Sequence, residues 1–170
     1  MGAASRLSSP TDDAGNALAR VEILVCGAED RGDDGAPLVA ARDLQTQLPD
    51  GTRIRAVGRL DVDDLLDLPV EAGVVIVDAA TGIPAGAVVD LPIEALPRLR
   101  DCRPRSSHAL AAPEVVELAA LLRSGPLRGR IVAIGGTEFG LGVGLSPRVA
   151  EAIPDLVASV LEAVETVRRS

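Results

Sequence analysis

Residues 21–37 read VEILVCGAEDRGDDGAP: an apolar run of strand length, a glycine-punctuated loop, and a proline near the start of a helical pattern. Strand, glycine loop and helix in that order open a parallel α/β sheet. Loops of this kind commonly cradle phosphate, because backbone N–H groups and the helix dipole attract anions. This one carries Glu29, Asp30, Asp33 and Asp34, which would repel phosphate. Either the acids are solvated and cap the following helix, or they hold something positive.

Outward from that stretch, runs of strand length alternate with segments of helical period. The pattern predicts strands over 21–26, 53–57, 74–77, 88–91 and 131–134, and helices over 37–47, 62–68, 113–123 and 147–168. Pro37, Pro113 and Pro147 each open a helix, where the missing N–H costs nothing. In the last helix Val149, Ile153, Leu156, Val160, Val164 and Val167 form one stripe, and Pro154 is expected to kink it. The expected fold is a three-layer α/β/α sandwich with a mostly parallel sheet of about five strands. Residues 1–20 read as a disordered tail and 21–170 as a single domain.

Composition removes several function classes. The 170 residues are 47% hydrophobic, enough to bury a core without disulfides, and carry a net charge of −8. That charge argues against a nucleic-acid partner, which requires basic patches. All 17 basic residues are arginine, so P-loop nucleotide chemistry and Schiff-base catalysis, which need lysine, are excluded. Phe139 is the sole aromatic residue, so base or sugar stacking is not expected. Cys26 and Cys102 support neither a disulfide framework nor a cysteine metal cluster. No window has the length of a membrane span, and the N-terminal segment lacks the apolar centre of a secretion signal. The expectation is a cytoplasmic monomer with no membrane association.

In open α/β sheets, ligands bind beyond the carboxyl ends of the strands, where neighbouring connections diverge. Asp33 and Asp34 follow the first strand, and Asp78 ends the third in VVIVDAATG. A strand order of 2-1-3 makes those two strand ends neighbours, so that Asp34 and Asp78 share a crevice. His108, in RPRSSHALAAPEV, is the chain's single histidine and precedes a helix. One imidazole and two carboxylates suit a divalent ion such as nickel, zinc, manganese or iron, with positions open for substrate. Taken singly, each has a plainer role: Asp34 as a helix cap, Asp78 in a turn, His108 as a cap or surface residue. Cys26 ends an apolar run and reads as buried and inert. Ser106 and Ser107 adjoin His108, but no G-x-S-x-G elbow occurs. The glycines at 135, 136, 140, 142 and 144 read as a flexible loop.

Four segments resemble the nickel-iron hydrogenase maturation proteases, which trim the C-terminus of a hydrogenase large-subunit precursor. ILVCGAEDRGDDGAP (23–37) resembles the family's first motif, and VVIVDAATGIPAG (74–86) its second metal-bearing strand. SSHALAAPEVVELAALL (106–122) and GVGLSPRVAEAIPDLV (142–157) resemble its histidine segment and its ending. The resemblance implies metal ligands at Asp34, Asp78 and His108, the residues already singled out by topology. It further implies that the nickel arrives with the precursor, with other divalent ions as substitutes, and that cleavage follows nickel insertion. Asp33 is expected to orient a water or hydrogen-bond a ligand beside these three as a further catalytic residue. One departure stands out: VGRLDV (57–62) replaces the family's Asp-Gly-Gly-Thr-x-Gly loop and keeps Gly58 alone of its glycines. A noncatalytic nickel- or precursor-binding chaperone of the same fold is the alternative. A receiver-type magnesium domain also places acids after strands one and three, but it needs a lysine that this chain lacks.

Overall fold

The computed structural model describes residues 20–98 and 112–170. All but the last residue of the expected N-terminal tail, together with Cys102, Ser106, Ser107 and His108, lies outside the described residues. Among the described residues, five strands form one sheet: β1 (Val21–Cys26), β2 (Thr52–Gly58), β3 (Gly73–Ala80), β4 (Val88–Pro92) and β5 (Gly129–Gly135). Their order is β2-β1-β3-β5-β4. β1 runs parallel to β2 and β3, and β3 parallel to β5, while β4 closes the edge antiparallel to β5. The expected 2-1-3 neighbourhood and mostly parallel sheet are both present.

Side chains of a strand alternate between the two faces of its sheet, and here the alternation sorts the molecule into layers. Val21, Ile23, Val25, Val75, Val77, Val132 and Ile134 face one way. They pack against helix α1 (Ala36–Leu44) and the C-terminal helices α4 (Pro147–Glu151) and α5 (Ile153–Arg168). Leu24, Cys26, Val74, Ile76 and Ile131 face the other way. They meet α2 (Val62–Leu66), the 3-10 segment Ile93–Arg98 and α3 (Ala112–Leu122). A buried Val, Leu or Ile contributes about 1.5–3 kcal/mol, so each face supplies a substantial core, and the strands read as near-continuous apolar runs because both faces are covered.

The C-terminal segment differs from the single kinked helix expected over 147–168. Its backbone leaves helical geometry at Ala152 (φ −90°, ψ 1°), and a second helix begins at Ile153. Pro154 therefore falls in the first turn of α5, where its missing N–H removes no intrahelical bond. The apolar stripe is as read: Ile153, Leu156, Val160, Val164 and Val167 are buried along α5, and Val149 is buried in α4. No helix among the described residues is long and apolar enough to cross a membrane.

Candidate active site

The strand order turns around between β1 and β3, since the chain leaves β1 toward β2 and leaves β3 toward the opposite edge. Pairing between β1 and β3 ends at Val25 and Val77, whereas β3 continues along β5 through Asp78, Ala79 and Ala80. Asp78 thus lies where its β1 neighbour has stopped, and a crevice opens there. Its volume is about 460 Å³, and its walls include Cys26, Asp34, Leu60, Asp78 and Ala112.

Asp34 reaches that crevice because of how the first loop folds. After β1 the chain turns at Gly27 (φ 114°), where an added Cβ would sit 2.0 Å from the carbonyl oxygen of Asp34. Only glycine tolerates both the backbone angle and the approach. A 3-10 turn, Gly32–Gly35, then carries the two aspartates into α1. The N-cap of α1 is Gly35, with no side-chain cap bond, so the capping role open to Asp34 is not the one it takes. Asp34 is half-buried in the crevice wall instead.

Asp33 corrects an expectation. Rather than orienting a water beside Asp34, it is fully buried and outside the crevice wall. Its carboxylate accepts hydrogen bonds from the amides of Thr137 (2.8 Å), Glu138 (2.9 Å) and Ser146 (2.7 Å), and from the Ser146 hydroxyl (3.0 Å). Burial pushes its pKa up, but the Glu138, Ser146 and Thr137 amides and the Ser146 hydroxyl outweigh that and hold it below the ordinary value. The glycine-dense loop after β5 was expected to be flexible; Asp33 staples it to the first loop. Backbone bonds from Gly32 to Val143, Asp33 to Glu138 and Gly142 to Asp30 complete the seam.

The electrostatics of the remaining pair are opposite. Burial, with a smaller push from the Asp34 charge, raises Asp78 to about 7, although its carboxylate accepts the Ala79 amide at 2.8 Å. Burial also raises Asp34, against the Ala28 amide and the Arg31 charge. Beside them the Cys26 thiol is pushed up by burial and then by Asp78, so it stays protonated and a poor nucleophile. Two partly desolvated carboxyls lining one crevice are suited to sharing a divalent cation. Among the described residues no third His, Cys, Asp or Glu joins them in a metal-binding group. His108 lies outside those residues, four positions before Ala112 of the crevice wall.

Solved structures share this fold. The hydrogenase maturating endopeptidase HybD of Escherichia coli superposes with a TM-score of 0.73 at 22% identity, covering 86% of this chain and 93% of its own. A [NiFe] hydrogenase maturation protease HybD from Thermococcus kodakarensis gives 0.65 at 27% identity, with coverage of 84% and 97%. The chain has the hydrogenase maturation protease fold. A second Thermococcus kodakarensis protease of the group, HycI, matches at 20% identity with a TM-score of 0.66. Neither a family model nor a curated protein sequence matches the chain. The structural neighbours share the fold of the proteins that the four sequence segments resemble.

Within the maturation protease fold, sequence reasoning brought Asp34 and Asp78 together correctly but missed the cations around them. Arg31 and Arg59 both line the crevice. The signal for Arg31 was its place inside the acidic loop; that for Arg59 was its place in the departing segment 57–62. That segment is well anchored. Leu60 is buried in the core shared by α2 and α3. The Asp61 N–H donates to Asp64 (3.0 Å), the Val62 N–H donates to Asp61 (2.6 Å), and Arg55 holds Asp64 at 2.8 Å. This is a capping box, which satisfies two otherwise orphaned donors at the start of α2.

Proposed function

We propose that this chain is the endopeptidase that removes the C-terminal peptide of a [NiFe] hydrogenase large-subunit precursor once nickel has been installed. The observation that carries the reading is the convergence of Asp34 and Asp78 on one crevice at the turn-around point of a maturation protease fold. Asp34 and Asp78 offer carboxylate oxygens to the precursor's nickel, and His108 is the proposed third ligand. The metal is part of the substrate, and other divalent ions are expected to substitute for it. The raised pKa of both carboxyls, caused first by burial, favours this role, because a bound cation stabilises the ionised form that burial disfavours. Hydrolysis adds water across the scissile amide: hydroxyl to the carbonyl carbon, proton to the departing amine. Asp33 contributes by fixing the loop that presents Asp34, as a positioning residue rather than a catalytic one.

The test is the intact mass of the large subunit from the same genome, incubated with this protein with and without prior nickel loading. Loss of a C-terminal peptide from the nickel-loaded form alone is the expected result, with Asp34→Ala, Asp78→Ala and His108→Ala slower by at least about a hundredfold. Full cleavage by Asp34→Ala would refute the site.

One observation favours a second reading. Leu60 and the capping box fix the segment that the family keeps glycine-rich, which suits a noncatalytic protein that holds the precursor or its nickel. That reading gains if a nickel-loaded precursor forms a stable complex and its mass stays unchanged.

A further inference from the structure

Two arginines line the crevice, and the proposed hydrolysis gives neither a role. Arg31 enters from the loop after β1 and Arg59 from the segment between β2 and α2. Both residues are exposed, whereas Asp34 and Asp78 are partly buried. The crevice wall therefore combines two partly buried acids with two exposed arginines.

Four acids of the adjoining segments are already engaged, while Asp30, next to Arg31, is exposed and makes no side-chain bond among the described residues. Glu29 pairs with Arg42, Asp33 is spent on the 137–146 loop, and Asp61 and Asp64 are held in the capping box, the latter also by Arg55. Among the described residues, neither the Arg31 nor the Arg59 guanidinium forms a salt bridge or hydrogen bond, although Arg31 lies close enough to lower the pKa of Asp34. By contrast Arg55, Arg123 and Arg130 are each paired or hydrogen-bonded. A planar guanidinium presents two parallel donors that match a carboxylate. A phosphate dianion is a poorer match, because its larger charge would sit against Asp34 and Asp78.

The geometry points to a carboxylate-recognition subsite at Arg31 and Arg59, which receives an acidic group of the precursor tail while its cation faces Asp34 and Asp78. This rests on the precursor being the substrate, and it names a requirement beyond the metal: an anionic group displaced outward from it. The group is either an Asp or Glu side chain or the tail's terminal carboxylate. Two cations on separate loops also make the subsite selective, since a tail with a basic residue at that position would meet Arg31 and Arg59 unpaired.

The experiment measures the Kd of the nickel-loaded precursor for wild type, Arg31→Gln, Arg59→Gln and the double variant, with C-terminal cleavage followed in parallel by mass. Both arginines are exposed, and equal thermal midpoints establish that the variants are folded. The expected loss is roughly tenfold in affinity for each variant and more for the pair. The loss should disappear on a precursor that lacks the recognised carboxylate. Disappearance with tail Asp and Glu changed to Asn and Gln identifies a side chain, and disappearance with a C-terminally amidated tail identifies the terminus. Equal Kd for all four proteins, or an equal loss on every form of the precursor, overturns the subsite. If arginine-dependent, carboxylate-dependent binding is found with no mass change in wild type, the subsite stands and the endopeptidase reading falls.

Discussion

Asp33 and Asp34 are adjacent, chemically identical and opposite in role, and the difference is made by what surrounds each carboxylate. Asp33 receives three backbone amides and a hydroxyl; Asp34 meets the crevice. Asp33→Ala removes the acceptor of all four of these part-buried hydrogen bonds, so a stability loss of about 3 kcal/mol or more is expected in urea unfolding, since hydrogen bonds to charged groups are worth about 1.5–3 kcal/mol each. Asp33→Asn keeps the shape but turns an NH₂ group toward donors, and it should lose somewhat less. Because the folded pKa of Asp33 lies below its ordinary 3.8, its contribution is fully present above that value. The contribution is lost as pH falls through the folded pKa. Wild type should consequently show a steeper loss of stability in acid than Asp33→Asn. Which of two neighbouring aspartates faces the crevice is not stated by the string DD alone; the 137–146 loop decides it by folding against Asp33.

At the level of elements, the segment joining β2 to α2 shows how local chemistry can replace glycine. Gly58 keeps a left-handed turn (φ 69°), Leu60 anchors the segment in the core, and Asp61 with Asp64 fixes the first turn of α2. Asp61→Ala should cost about 1 kcal/mol by thermal unfolding, the usual worth of an N-cap. It should also loosen the loop that carries Arg59, which processing of the precursor would register as a raised KM with kcat less affected. The capping box was readable in the sequence as Asp-x-x-Asp before an apolar pair. Its effect on the crevice was not, because that depends on β2 and β1 lying side by side.

For the whole molecule, the stability profile against pH is shaped by the two buried-carboxylate environments acting in opposite senses. Asp78 titrates near 7 in the fold against an ordinary 3.8. Between those values the native state binds more protons than the unfolded chain, so stability falls as pH rises through that window. Asp78→Asn should flatten this decline and raise the thermal midpoint at pH 8 by roughly 3 °C or more, while processing is abolished. A midpoint at pH 8 equal to or below that of wild type would contradict the assignment. Such a site is less stable than the fold allows, the usual cost of burying a carboxyl group beside a second one.

By itself the sequence determined the elements and their layers. Apolar runs of strand length, the helical stripe from Val149 to Val167 and the glycine at position 27 each state a local preference that the fold then obeys. It also determined the chemical stock: acids after β1 and β3, arginine as the sole strong base, no lysine. Tertiary structure decided which groups meet. Parallel pairing of β1 with β3, stopping at Val25 and Val77, places Asp34, Asp78, Arg31 and Arg59 around one opening. Docking of the loop after β5 withdraws Asp33 from it. The physical reason is range: propensity and periodicity act over a few residues, whereas the hydrogen bonds that hold Asp33 come from residues 104 to 113 positions away, and the charge that acts on Asp78 comes from Asp34 on another loop.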